Sequence, residues 1–175
     1  SLLAESIGHG VFDACSSITS LHIDSSILAD KDFVATYFSH AIDSLKKVTI
    51  GDNIKSIGGN AFFRCSKLEN VTISDSVTSI GSNAYQGCRR LASLKLPSAL
   101  SFIGGSAFAE TNLKSITIPD SVRTIKGHAF ANCRALESIS FGTQSQLTTL
   151  GQGAIADNEV FKNTVIENLT LPAKL

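Results

Sequence analysis

One apolar pattern returns seven times along this chain, and a chain that repeats itself at such an interval has few ways to fold. Short triplets of apolar, polar, apolar residues start at Leu21, Val48, Val71, Leu94, Ile116, Ile139 and Leu169, in steps of 27, 23, 23, 22, 23 and 30 residues. Behind each triplet follow an aliphatic four residues after its end (Ile54, Val77, Leu100, Val122), another three later (Ile57, Ile80, Ile103, Ile125), and an Ala-aromatic pair five beyond that. The pairs are Ala61-Phe62, Ala84-Tyr85, Ala107-Phe108 and Ala129-Phe130. A cysteine occupies one fixed step (Cys15, Cys65, Cys88, Cys133), and Leu68, Leu91 and Leu136 lead back to the next triplet. All three prolines also fall at fixed places in the unit.

A unit of about 23 residues cannot enclose a core alone, so each coil must bury its apolar positions against the coils above and below. Alternation within a triplet is the period of a short strand with one buried face. Identical strands in successive coils then form a parallel sheet, and seven coils at 4.8 Å make a rod of roughly 34 Å. The chain is therefore expected to be an α/β solenoid of about seven coils. A parallel sheet covers one face, and short helical or irregular segments cover the other.

Composition agrees with that reading. The 175 residues are 43% hydrophobic and carry 15 basic against 15 acidic side chains. No apolar run reaches transmembrane length, and the charge balance gives no nucleic-acid footprint, so neither direct membrane insertion nor nucleic acid is expected. Residues 1–175 read as a single array without an internal linker. The array begins partway through a unit at Ile7 and stops as another begins at Leu169, so it is expected to be a fragment of a longer protein.

Two interruptions break the rhythm. The Leu21 coil has four extra residues and lacks the Ala-Phe and Cys steps; over residues 30–44, Val34, Phe38 and Ile42 fall at helical spacing, with Asp30 available as an N-cap. A helix is expected there. The Ile139 coil has seven extra residues, two near Thr143 to Gln146 and about five near residues 157–164. Insertions in repeats tend to become surface loops, so Asp157, Asn158, Glu159, Phe161 and Lys162 form a candidate binding loop beside the reading of a tolerated, degenerate coil.

The reactive side chains point away from catalysis. Four cysteines at one repeat position read as small buried residues of a core stripe, with Cys65 and Cys88 in adjacent coils but poorly directed for a disulfide. No Cys-x-x-Cys or His-x-x-x-His occurs, and thiols in a line along a rod do not converge on zinc. His22 and His128 stand where sister coils carry polar residues and are expected to face solvent. The pairs Gly58-Gly59 and Gly104-Gly105 are expected to serve the turn before Ala-Phe, while Gly8-His-Gly10 and Gly151-Gln-Gly153 lack the spacing and Lys of a phosphate loop. No serine lies in a Gly-x-Ser-x-Gly elbow. No catalytic residue, metal site or cofactor is expected.

The unit Leu-x-x-Ile-x-Ile-Pro-x-x-Val-x-x-Ile-x-x-x-Ala-Phe-x-x-Cys, matched by Leu113 to Cys133 and closely by Leu68 to Cys88, resembles the BspA-like (Treponema-type) leucine-rich repeats. The resemblance is clear from Leu45 to Phe141 and weaker in the flanking coils. It implies a leucine-rich repeat fold and a noncatalytic, surface or secreted protein. Members with an assigned role are mostly adhesins of host-associated microbes, so the implied partners are proteins, such as extracellular-matrix or other cell-surface proteins. The residues that would meet them on the sheet face are Lys47, Thr49, Asn70, Thr72, Ser93, Lys95, Ser115, Thr117, Ser138 and Ser140, with Asn168 and Thr170 beyond. These are expected to form two polar ladders. The alternative is a spacer that projects another domain from the cell surface. The threonine row also suggests an ice-binding ladder, although Lys95 and Ser140 interrupt it. Asn70-Val-Thr72 and Asn168-Leu-Thr170 match glycosylation sequons.

Overall fold

Each coil hydrogen-bonds its backbone to the next at several places around its circumference, and the side chains of one repeat position then stack on one another. The computed structural model describes residues 12, 15, 17–29, 32–151, 159–167, 169–173 and 175. In chain order its elements are β1 (Ser20–Ile23), α1 (Phe33–Tyr37), β2 (Lys47–Ile50), β3 (Ser56–Ile57), β4 (Asn70–Ile73), β5 (Ser79–Ile80), β6 (Phe102–Ile103), β7 (Ser115–Ile118), β8 (Thr124–Ile125), β9 (Ser138–Phe141) and β10 (Thr149–Leu150). All strand pairs are parallel, and the register superposes repeat on repeat: Leu21, Val48 and Val71 align, as do Ile116 and Ile139. This is the parallel-sheet leucine-rich solenoid that the pattern predicts.

Strands line two faces of the rod where one was expected. The two-residue strands β3, β5, β6, β8 and β10 form a second, unbroken five-stranded ladder. Ile57, Ile80, Ile103, Ile125 and Leu150 are its aligned residues. Little helix covers the rest. The predicted helix over 30–44 is reduced to the five-residue α1, between 3-10 turns at Ser26–Ala29 and Ser39–Ala41. Val34 and Phe38 are buried as its spacing required, and Ile42 is half-buried. The proposed cap Asp30 lies outside the described residues. The capping position is held by Asp32, which is left-handed (φ 59°), makes no side-chain cap bond, and accepts the Asn60 side-chain amide at 2.7 Å.

Between the two strand-lined faces and the Cys step runs a third inter-coil contact, built on the Ala-aromatic pair. Here the N–H of one coil donates to the carbonyl of the following coil, as Phe62 to Ala84, Tyr85 to Ala107 and Phe108 to Ala129, each at 2.8 Å. In the strands the sense is opposite, with Ser74 donating back to Ile50 at 3.1 Å. The reversal uses left-handed residues before the pair, Asn60, Asn83, Ser106 and His128, at φ 54° to 61°. Asparagine tolerates that conformation better than most residues, and Asn60 and Asn83 bond one another at 2.9 Å. The glycines do a different job from the one the sequence suggested. A Cβ on Gly81 would lie 2.6 Å from the Gly59 nitrogen, and one on Gly104 would lie 2.5 Å from the Ser82 nitrogen. These positions are glycine because neighbouring coils approach too closely for a side chain.

Coil stacking puts the aromatics in a column. Phe62, Tyr85, Phe108 and Phe130 are fully buried, with successive centroids 5.2, 5.6 and 5.4 Å apart and planes within 16°. The column continues to Phe161, 5.8 Å from Phe130. The candidate binding loop is corrected by this contact. Phe130 donates its N–H to Val160, so Val160-Phe161 is the Ala-Phe step of the Ile139 coil and Asn163 is the left-handed counterpart of Asn132. From Leu150 to Phe161 there are eleven residues, where the paired coil takes five from Ile125 to Phe130. The extra residues therefore precede Glu159, and 159–164 belong to the repeat.

Two stability measurements check this packing. Tyr85 is the one hydroxyl in the column, and its buried oxygen has no hydrogen-bond partner among the described residues. Tyr85→Phe is expected to raise the unfolding free energy in urea by about 1 kcal/mol, because it removes an unsatisfied polar atom without changing the ring. Phe161→Ala is expected to cost about 1.5–3 kcal/mol, since it removes a stacked, half-buried ring from the column; a side chain of a free loop would cost almost nothing.

Candidate functional site: the sheet face

The long-strand face carries a regular row of polar side chains. Lys47, Asn70, Thr72, Ser93, Lys95, Ser115, Thr117, Ser138 and Ser140 are exposed on it and Thr49 is half-exposed, while the residues alternating with them turn inward. Asn168 lies outside the described residues. Thr170 is exposed. Neighbouring side chains bond across coils, as Ser140 Oγ donates to Thr117 Oγ1 at 3.0 Å. Arg90 reaches Glu69 at 2.8 Å beside the face.

The two expected ladders are not continuous. The strands form a three-stranded group (β1, β2, β4) and a separate pair (β7, β9), and neither Ser93–Leu96 nor residues 169–171 form a strand. The breaks coincide with the residue that follows each triplet. In the paired coils its N–H donates to the preceding coil: Gly51 to Ile23 at 2.8 Å, Ser74 to Ile50 at 3.1 Å and Gly142 to Ile118 at 3.2 Å. At the remaining steps that residue is Pro97, Pro119 or Pro172, which has no N–H to give. The residue before a proline is held near extended backbone, so conformation does not prevent a strand there. Each proline removes one inter-coil donor at a step where strand pairing is also absent. The Leu94 coil loses this clip on both sides, to the Val71 coil through its own Pro97 and to the Ile116 coil through Pro119.

Grooves open where the clips are missing. One of about 710 Å³ runs over the Leu94 coil, between Asn70 and Thr72 on one side and Ser115 and Thr117 on the other, with Leu94 and Ile116 in its floor. A smaller one of about 370 Å³ lies beside Pro172, against Ser140 and Phe141. Beyond the larger groove Ser98 donates its N–H to the Asp75 side chain at 2.6 Å, as Asn53 and Gln144 do to Asp24 and Asp120 in coils that keep the backbone clip. The Ser98 bond, with help from the nearby Lys95 charge, holds the Asp75 carboxyl below its ordinary range. The lining side chains were legible in the sequence but the groove was not, although the fixed proline positions were its signal.

Of the candidate loop, Glu159, Phe161 and Lys162 are among the described residues. Asp157 and Asn158 lie outside the described residues. Glu159 and Lys162 are exposed and bond each other at 2.6 Å, and Phe161 is taken by the aromatic column.

Cys65, Cys88 and Cys133 form a buried stripe, whereas Cys15, expected to share it, is exposed. Cys88 donates its thiol to the Phe62 carbonyl at 3.3 Å and Cys133 to the Phe108 carbonyl at 3.0 Å, each one coil back. Thr111 holds the Cys position in its coil and contacts Cys133 Sγ at 3.2 Å. All four cysteines are free, with Cys15 exposed. Burial pushes the Cys65 thiol up to about 12, with the Asp43 charge adding, and burial likewise raises Cys88 and Cys133. Among the described residues no three His, Cys, Asp or Glu gather as a metal would need, and no helix is long and apolar enough to cross a membrane.

The model of the BspA type leucine-rich repeat region matches in six copies, over residues 3–74 and 31–160. The chain belongs to the BspA-type leucine-rich repeat family. A leucine-rich repeat protein of Bacteroides ovatus has a similar solved structure, with 29% identity and a TM-score of 0.62 over 90% of this chain. A leucine rich cell surface protein of Faecalibacterium prausnitzii is 30% identical over 79% of it, with a TM-score of 0.50. The chain spans 42% of each of those structures. No curated protein matches the sequence.

The thiol stripe of this BspA-type array predicts an alkaline limit. A thiol whose pKa is raised by folding stabilises the fold fully below its unfolded value near 9, and that contribution is lost as pH climbs from 9 toward 12. Urea midpoints are expected to be flat from pH 7 to 8.5. Above pH 9 they should fall, with Cys65 alone costing about 1.4 kcal/mol per pH unit. At neutral pH Ellman's reagent should label Cys15 at once and the other three only on unfolding; rapid labelling of all four would contradict a buried stripe.

Proposed function

We propose that this array is a noncatalytic protein-binding module of a cell-surface or secreted protein, acting as an adhesive element through its long-strand face. One observation carries the reading: a row of short, exposed polar side chains, set by strand register, beside a groove of about 710 Å³. Such a face gives hydrogen-bonding groups at a fixed spacing on a rigid frame. Among the described residues it has no exposed aromatic anchor, which favours a contact of moderate strength reinforced by repetition. Family membership supports surface exposure, and the Faecalibacterium relative is described as a cell surface protein. The partners proposed are proteins of the extracellular matrix or of other cell surfaces.

A spacer role has its own support. The second ladder and the aromatic column run from Ile57 to Leu150 and from Phe62 to Phe161, so the rod stays continuous where the long-strand face is interrupted. A spacer needs that continuity and nothing of the face.

The test is binding to immobilised extracellular-matrix and plasma proteins, with Thr72→Asp, Lys95→Glu and Thr117→Asp combined in one folded variant. Saturable binding weakened at least tenfold by the variant is the expected result. Unchanged binding would move the site off this face, and no binding by the folded wild type would favour the spacer. Removing 157–164 would confuse the outcome, because it deletes Phe161 from the core; changes confined to residues 152–158 test the insertion cleanly.

A further inference from the structure

The Leu94 coil is one residue short at its Cys step. From Thr111 to Leu113 the chain advances two positions, where sister coils advance three from Cys88 to Leu91 and from Cys133 to Leu136. This accounts for the 22-residue step between Leu94 and Ile116. A notch of about 490 Å³ lies over the shortened turn. Arg89 and Arg134, which hold one repeat position in the coils on either side, line it with Asn112 between them. Two coil steps at strand spacing put the backbones of the two arginines roughly 10 Å apart. No residue lining the notch lies on the long-strand face, so this is a site separate from the one proposed above.

We propose that this notch binds a sulfated saccharide unit, with its sulfate group between Arg89 and Arg134. Arg134 is exposed and has no ion-pair partner among the described residues. Arg89 reaches Glu110 at 3.5 Å, a long, solvent-exposed pair that contributes little to stability. Glu110, the one carboxylate lining the notch, also accepts the Gln86 amide at 3.3 Å, so it keeps a partner when Arg89 turns to a ligand. Asn163 donates its side-chain amide to Asn132 Oδ1 at 2.8 Å, which leaves Asn132 Nδ2 to donate. The Thr111 hydroxyl is engaged by the Phe108 carbonyl at 2.8 Å. Free donors therefore outnumber free acceptors, and the ligand must supply oxygens. Guanidinium groups bond oxyanions through paired N–H donors. Arginines from two coils, with the amides of Asn112 and Asn132, suit a group with three free oxygens better than a carboxylate with two. The notch is far larger than one ion and falls within the range of volumes that small-molecule ligands fill. No aromatic or aliphatic side chain lines it, so the body of the ligand is polar, as a saccharide is.

The experiment is fluorescence anisotropy with a labelled, fully sulfated heparin-type tetrasaccharide in about 0.15 M salt, where distant charges are screened. Saturable binding is expected. The desulfated tetrasaccharide should bind at least tenfold more weakly, and neither equimolar inorganic sulfate nor a ten-residue peptide of alternating Thr and Glu should displace the sulfated form. Arg134→Gln should weaken binding at least tenfold. So should insertion of one alanine between Asn112 and Leu113, which restores the length of the sister coils; a thermal melt shows that each variant folds. Arg123→Gln, which removes an exposed cation beside β8, should leave binding unchanged. Absence of saturable binding overturns the inference, as does equal binding of the desulfated saccharide, by the Arg134 variant or by the folded insertion variant. Displacement by inorganic sulfate would reduce the ligand to a free ion, and displacement by the peptide would make it an acidic polypeptide; either overturns the saccharide. An equal loss in the Arg123 variant would mean attraction to overall charge and no site. The sheet-face reading survives any of these failures, because its Thr72, Lys95, Thr117 variant alters no residue of the notch.

Discussion

Every part of this molecule answers to the distance between one coil and the next. Hydrogen-bonded strands sit about 4.8 Å apart, and no coil of this length has an interior of its own. The same separation therefore governs the long-strand face, the short ladder, the aromatic column and the thiol stripe. It explains why Gly81 and Gly104 have no room for a side chain. It also explains why one asparagine can reach the asparagine of the next coil, and why Phe62, Tyr85, Phe108 and Phe130 stack almost in parallel. The core is a set of columns, each made of one repeat position.

That arrangement makes the rod tolerant in some places and brittle in others. A lost strand bond on the face is a local event, because the short ladder and the aromatic column still join the same two coils. The Leu94 coil shows this: it lacks strand pairing on both sides, yet Phe102-Ile103 and Ala107-Phe108 remain in register with their neighbours. An insertion is accepted on the same terms. The Leu21 coil replaces its Ala-Phe step with α1, and Val34 still donates its N–H to Ala61. Function can be placed on the face because the face is not what holds the rod together.

Much of this was legible in the residues. Triplet spacing predicted the long strands and their register, and the Ala-aromatic and Cys positions predicted buried columns. Polar positions between the apolar pairs predicted which side chains are exposed. The insertion in the Ile139 coil was misplaced, because Val160 stands where other coils have Ala and hid the Ala-Phe step beside a correctly noted Phe161. Helical spacing of Val34, Phe38 and Ile42 overstated α1, since apolar spacing records burial and five residues between 3-10 turns satisfy it as well. The second ladder was unread because two-residue strands have no period of their own. The three prolines were seen at constant places, but their effect needed the identity of the bond that each one removes.

Sequence by itself determined the solenoid, its family, the identity of its core columns and the polarity of its faces, because each follows from one side chain recurring at one interval. Only the tertiary structure decided which coils pair along the face and where it opens. A hydrogen bond between coils joins residues some 23 positions apart, and whether it forms depends on a donor in one coil meeting an acceptor in another. Repetition in a single chain declares the positions, and stacking alone brings the partners together.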